Sequence, residues 1–154
     1  MTELRPPALD PATLAERSGT GYPEPFRAMV SGRHKRALGD ALGLADFGVN
    51  LTRLEPGAAS AHRHWHTRED EFVYLLEGEL VLVTDAGEQI LRPGMCAGFP
   101  KGRPDGHQLV NRSDRPALYL EIGSRDPEDE AFYPGLDLRA LPGRRFAHAD
   151  GTPY

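Results

Sequence analysis

Three of the six histidines in this chain, His62, His64 and His66, fall within five residues. On an extended strand, side chains alternate faces and rise about 3.3 Å per residue, so alternate imidazoles stand on one face roughly 6.6 Å apart. Arg63 and Trp65 then point the other way. Two imidazoles so placed can converge on one ion at about 2.0–2.1 Å, a common device for transition metals. Glu71 follows across Thr67-Arg68-Glu69-Asp70, a gap that suits a tight loop or bulge swinging a carboxylate back toward the rings. Farther on, Pro100-Lys101-Gly102 forms a turn, and His107 and Asn111 come after it. A lone histidine in a strand next to the first would supply a third nitrogen. An isolated His-x-His pair is more often solvated or hydrogen-bonded than metal-bound. The added carboxylate and third histidine are what give this one weight.

These side chains need a scaffold of strands. Gly (17) and Pro (14) make 31 of 154 residues, too much punctuation for a helical bundle. Strand patterns run over 47–54, 72–76, 80–84, 89–91, 95–99, 109–110 and 117–122. Turn signals separate them: Glu55-Pro56-Gly57, Glu77-Gly78, Asp85-Ala86-Gly87, Pro93-Gly94 and Asn111-Arg112-Ser113-Asp114. Short strands at such intervals predict an all-β sandwich or barrel with antiparallel pairing.

The ends of the chain differ from this core, dividing it into an N-terminal arm (1–45), a barrel core (46–124) and a C-terminal tail (125–154). In the arm, Asp10 as N-cap and Pro11 at the first helical position predict one short helix ending before Gly19. The rest of the arm should pack across its own sheet or a partner's. The acidic run from Asp126 to Glu130 reads as a solvated loop, and the Gly- and Pro-rich aromatic tail as lying on the barrel or on a second subunit.

The charge balance excludes several partners. Lys+Arg total 18 against 23 Asp+Glu, a net charge of -5, which argues against nucleic acid. The longest apolar run, Phe72 to Leu76, is far short of the ~20 residues of a membrane helix. No apolar h-region opens the chain, and the single Cys96 excludes an internal disulfide, so a cytoplasmic location is expected.

Gly57, His64-x-His66, Glu71 and Gly78 resemble the first motif of the cupin superfamily, and Gly94, Pro100, Gly102, His107 and Asn111 resemble the second. The motifs span residues 57–111, and the surrounding strands extend the likeness to about 47–123. Two departures stand out. Four residues, Arg103 to Gly106, separate Gly102 from His107 where the family usually has two. His62 also makes His62 and His64 an equally spaced alternative pair, although the distance to Glu71 favours His64 and His66. The resemblance implies a double-stranded β-helix, a jelly-roll-type barrel with a central cavity, and a metal held by His64, His66, Glu71 and His107. One divalent transition metal per chain is implied, with Fe, Mn, Ni, Zn and Cu all compatible with these ligands. The family is commonly dimeric, and a homodimer involving parts of the arm is expected.

Neighbouring residues carry plainer expectations. Glu69, Asp70 and Asp105 read as solvated, and His34 and His148 as surface residues. Val73 and Leu75 should line the cavity while Phe72, Tyr74 and Leu76 face away. Tyr74 and Tyr119 read as core packing, and Cys96, with no activating neighbour in sequence, as a buried inert thiol. A metal-dependent enzyme acting on a small oxygen-chelating substrate follows, with dioxygenase-, isomerase- or lyase-type chemistry. No second general base is evident beyond the ligand set, which weakens the isomerase version. The alternatives are a non-catalytic small-molecule binding or sensing module and a metal-free sugar epimerase, the last disfavoured by a complete ligand set.

Overall fold

The computed structural model describes residues 3–154. Its strands are β1 (Arg17–Ser18), β2 (Arg33–Ala37), β3 (Phe47–Leu54), β4 (Trp65–His66), β5 (Glu71–Glu77), β6 (Leu80–Thr84), β7 (Gly87–Leu91), β8 (Cys96–Phe99), β9 (Gln108–Val110), β10 (Ala117–Ser124), β11 (Ala131–Phe132), β12 (Arg139–Leu141) and β13 (Arg145–Ala147). All pairings are antiparallel. One sheet has the order β1-β2-β3-β10-β5-β8; opposite it lie β7-β6-β9 and β13-β12-β11-β4. Bridges between Ala59 and Val110 and between His64 and His107 join the segment before β4 to β9 and its approach, so the second layer is nearly continuous.

Alternation along the strands generates the core. Leu54, Val73, Leu75, Ala117 and Tyr119 of the larger sheet meet Leu80, Leu82, Leu91 and Leu109 of the facing one. The outward residues of β5, Phe72, Tyr74 and Leu76, are 37–38% exposed, against 7% and 1% for Val73 and Leu75. The inward parity expected for β5 therefore holds and places Glu71, of the same parity, at the cavity. This is an all-β jelly-roll architecture, and among the described residues no helix is long and apolar enough to cross a membrane.

Arm and tail are built into the same body. The only helical piece near Asp10 is a single 3-10 turn, Pro11–Thr13, in which Asp10 accepts from the Ala12 N–H. The expected helix stops there because the chain is drawn into sheet: Arg17 pairs with Lys35 and Ser18 with His34, while Arg53 on β3 grips Glu16. A short α-helix, Leu38–Ala41, follows β2 instead. His34 is half-covered by this arrangement, with Nδ1 2.5 Å from Ser18 Oγ, and is not a free surface residue. Tyr22 and Val30 of the arm form a second core with Ala131, Tyr133 and Leu138 of the tail, so the tail packs within its own chain. Tyr74 faces outward as its parity requires, but it is exposed and not packed in a core; Cys96, its cross-strand partner on the same outer side, is exposed and not buried.

Two turn residues join strands that carry the site. Asn111 is fully buried, and its amide donates to Leu54 O and Arg115 O. Gly78 has φ +82°, and a Cβ there would stand 2.8 Å from Pro116 O and 2.9 Å from Ala117 Cα. Gly78→Ala is expected to lose about 1–3 kcal/mol from backbone strain alone, read as a lowered denaturation midpoint. A midpoint equal to wild type would show that the turn relaxes freely.

Candidate metal centre

Two backbone devices bring the histidine segments together. His64 N–H donates to His107 O at 3.2 Å and His107 N–H to His64 O at 2.9 Å, pinning the two stretches side by side. The Gly102 N–H donates to His66 O at 2.8 Å, tying the Pro-x-Gly turn to the same strand. The extra residues before His107 are absorbed in a small outward loop, where Asp105 N–H bonds back to Arg103 O and the Asp105 carboxylate accepts from Asp85 N–H. The longer spacing thus leaves His107 inward.

Three imidazole Nε2 atoms surround the Glu71 carboxylate. His107 Nε2 lies 2.7 Å and His64 Nε2 3.5 Å from Oε2, and His66 Nε2 lies 3.4 Å from Oε1. The donor atoms of His64, His66 and Glu71 all fall within 4.8 Å of one another. His107 stands slightly outside that set and joins it through Glu71, its ring centred 4.7 Å from that of His64. Phe99 stacks flat on His107 at 3.6 Å and fixes the ring's plane.

The opposite ring nitrogens decide which atom faces inward. His64 Nδ1 is 2.8 Å from His62 O, and His66 Nδ1 is 2.6 Å from Asp129 Oδ2. An Nδ1–H donated to an oxygen leaves the Nε2 lone pair aimed at the centre, as metal-ligating histidines require. His62 itself points elsewhere: its Nε2 is 2.8 Å from Phe26 O and its ring packs edge-on to Tyr22 and Phe26. The alternative pair is therefore not the one assembled.

The electrostatics are those of a cluster short of positive charge. Burial opposes the ionised form of Glu71, but the neighbouring imidazoles of His107 and His64 overcome it and hold the carboxyl well below its ordinary value. Burial likewise opposes charge on His66, yet Glu71 and Asp129 push that imidazole up to about 9. Burial holds His107 below its usual value. Glu71 Oε2 is buried and satisfied by no well-formed hydrogen bond despite its nearness to His107 Nε2, and His107 Nδ1 is also unpaired. In the absence of an ion, a proton on His66 offsets the Glu71 charge; a divalent cation between the carboxylate and the three ring nitrogens would take that proton's place. The donor set, three imidazoles and one carboxylate, fits a divalent transition ion.

Several residues around the cluster differ from expectation. Glu69 is buried, not solvated: it accepts from the Asp126 N–H, and burial raises its carboxyl above the ordinary value. Asp70 is exposed but accepts from the Lys101 N–H. Asp129, in a run that reads as a loop, also accepts from the Arg68 N–H and so anchors both His66 and the turn leading to Glu71. Tyr119 is buried in the core as expected. The cluster opens into a cavity of about 1010 Å³, whose wall also carries Arg17, Arg33, Lys35, Glu121 and Arg144. A smaller cavity of about 260 Å³, beside Trp65 and Arg103, reaches His66, Glu71 and His107 from another side.

Comparison with known proteins places this arrangement. The Cupin domain family matches residues 50–123. A sugar phosphate isomerase of the cupin superfamily from Silicibacter pomeroyi is 48% identical, with a TM-score of 0.90 and 96% of each chain covered. A candidate sugar phosphate isomerase from Acidithiobacillus ferrooxidans is 32% identical, with a TM-score of 0.71 over 77% of this chain and 76% of its own. A polyketide cyclase from Streptomyces resistomycificus shares the fold at 19% identity and a TM-score of 0.64, over 82% of this chain and 81% of its own. No curated protein matches the chain. With a solved cupin 48% identical along almost its whole length, the chain belongs to the cupin superfamily.

Proposed function

We propose that this protein is a metal-dependent cupin enzyme that isomerises a small sugar phosphate. The observation that carries the reading is the buried Glu71 carboxylate facing three imidazole nitrogens, its Oε2 with no hydrogen bond of its own. His64, His66, Glu71 and His107 would hold one divalent ion, leaving positions free on it for substrate oxygens. As a Lewis acid such an ion would polarise a carbonyl and its neighbouring hydroxyl. Arg17, Arg33 and Arg144 line the same cavity, and among the described residues none of the three pairs with a carboxylate. Their charge suits the phosphate of such a substrate. The 48% identical protein from Silicibacter pomeroyi, described as a sugar phosphate isomerase, supports the isomerase version over dioxygenase or lyase chemistry.

A homodimer accompanies this reading. The outer face of β5 and its neighbour β8 carries Phe72, Tyr74, Leu76 and Cys96, all exposed. A second copy meeting this face would cover them.

The metal assignment is tested by elemental analysis. His64→Ala should abolish metal occupancy and, with it, binding of a bidentate oxygen ligand; full occupancy in the variant would refute the ligand set. Asp129→Ala removes the carboxylate that fixes the His66 ring and should weaken metal affinity about 10–100-fold, measured by competition with a chelator. An unchanged affinity would mean the ring is held without Asp129. Turnover of sugar phosphates by Fe, Mn, Ni and Zn forms tests the reaction, and silence in all of them alongside tight ligand binding would favour a sensing module. Light scattering should give twice the single-chain mass of 16.9 kDa, and a single-chain mass would reject the dimer.

A further inference from the structure

The barrel interior holds a second polar group beside the imidazole cluster. Lys35 on β2, Asn50 on β3, and Tyr119 and Glu121 on β10 all line the larger cavity. Lys35 Nζ donates to Glu121 Oε1 at 2.5 Å, Asn50 Nδ2 to the same oxygen at 3.1 Å, and Tyr119 Oη to Oε2 at 3.4 Å. Sheet register sets this carboxylate next to Glu71. On the β5–β10 ladder Glu121 opposes Val73 and Gly123 opposes Glu71, so Glu71 and Glu121 are diagonal neighbours on one inward face. Diagonal residues stand roughly 7–8 Å apart, and both carboxylates line the same cavity. Gly123, directly opposite Glu71, adds no side chain beside it.

The plain reading of the pair is a structural tie from β2 to β10 across β3. Buried ion pairs are weak stabilisers, however, because desolvation offsets their attraction. Here the two side chains keep 29% and 25% of their surface open to the cavity, where a ligand can reach them. Burial favours neutral Glu121, but the Lys35 charge and its hydrogen bond outweigh it and hold the carboxyl below its usual value.

We propose that Glu121 is the general base of this chain, moving a proton between adjacent carbons of a substrate whose oxygens face the imidazoles, with Lys35 as the residue that positions it. This rests on the isomerase reading above and supplies the second base that reading lacked. Glu121 takes the proton from the hydroxyl-bearing carbon beside the carbonyl. The C–H electron pair becomes the C=C bond of an enediolate, and the carbonyl π pair moves to oxygen. The Glu121 carboxylic acid then returns the proton to the former carbonyl carbon, while the hydroxyl proton passes to the first oxygen. Aldose becomes ketose with no oxidant and nothing lost.

The test uses the full chain loaded with Mn(II) or Zn(II), supplied in D₂O with ribose 5-phosphate, arabinose 5-phosphate, glucose 6-phosphate and mannose 6-phosphate, and followed by NMR. Wild-type protein should convert at least one of them, with any solvent deuterium confined to the carbon that gains hydrogen. Glu121→Gln should lower kcat about 10²–10⁴-fold with metal content unchanged by elemental analysis. Lys35→Met should lower kcat without raising KM, and Lys35→Arg should recover most of the loss. The double variant Lys35→Met/Glu121→Gln, which leaves no unpaired charge, should show the same loss at full metal content. A Glu121→Gln kcat within threefold of an active wild type overturns the inference and leaves the isomerase reading standing. Metal lost together with activity in both the single and double variants likewise overturns it, by making the pair structural. A wild type that converts none of the four sugars overturns the isomerase reading and the inference with it.

Discussion

An anionic carboxylate lodged inside a β-barrel is the constraint around which this protein is organised. Glu71 loses most of its hydration, and a buried charge left uncompensated costs several kcal/mol. Its compensation comes from three directions: His64 and His66 from the segment leading into β5, and His107 from the approach to β9. None of the three is its sequence neighbour. The ladders that hold β5 between β8 and β10, and the reciprocal His64–His107 backbone bridge, are what keep these groups in reach.

The parts outside the barrel strands complete this environment. Asp129, beyond the last barrel strand, fixes the His66 ring, and Lys35, before the first, holds Glu121. Tyr22 from the arm and Tyr133 from the tail meet at 3.4 Å between hydroxyls, and the Tyr133 ring packs 5.5 Å from that of His64. Burial pushes both phenols up, so they stay neutral and act as packing and hydrogen-bonding groups. The strands from β3 to β10 alone would leave His66 Nδ1 without Asp129 and Glu121 without the charge of Lys35. The arm and tail thus belong to the chemistry of the cavity as well as to its walls.

The cavity also divides its polar groups by role. Imidazoles and Glu71 gather at one point, while the Lys35–Glu121 pair sits one diagonal step away on the same sheet face. The period of two in a strand makes this possible, because β10 can present Tyr119 and Glu121 inward while Leu118, Leu120 and Ile122 face out. Register sets Glu121 opposite Val73 and Gly123 opposite Glu71, so the two carboxylates sit one diagonal step apart on that face.

The main strands of the barrel core, their parity and the four residues that meet at the centre were legible in the sequence, because alternation and turn chemistry are local and the histidine spacing is short-range. Strand β3 falls where the pattern over 47–54 puts it, and Val73 and Leu75 face inward as their parity requires. The fate of Asp10–Ser18 was not legible: local capping favoured a helix, and pairing with β2 overrode it. Asp129 lies 63 residues from His66 and Lys35 lies 86 from Glu121, so no local signal joins either pair. Glu69 and Asp129 stand in acidic stretches whose composition says solvent, and only the folded chain buries one and aims the other at an imidazole. Sequence determined which atoms were available to ligate. Tertiary structure decided which nitrogen of each ring faces the centre, because that choice belongs to hydrogen-bond acceptors such as His62 O and Asp129 that folding alone brings alongside.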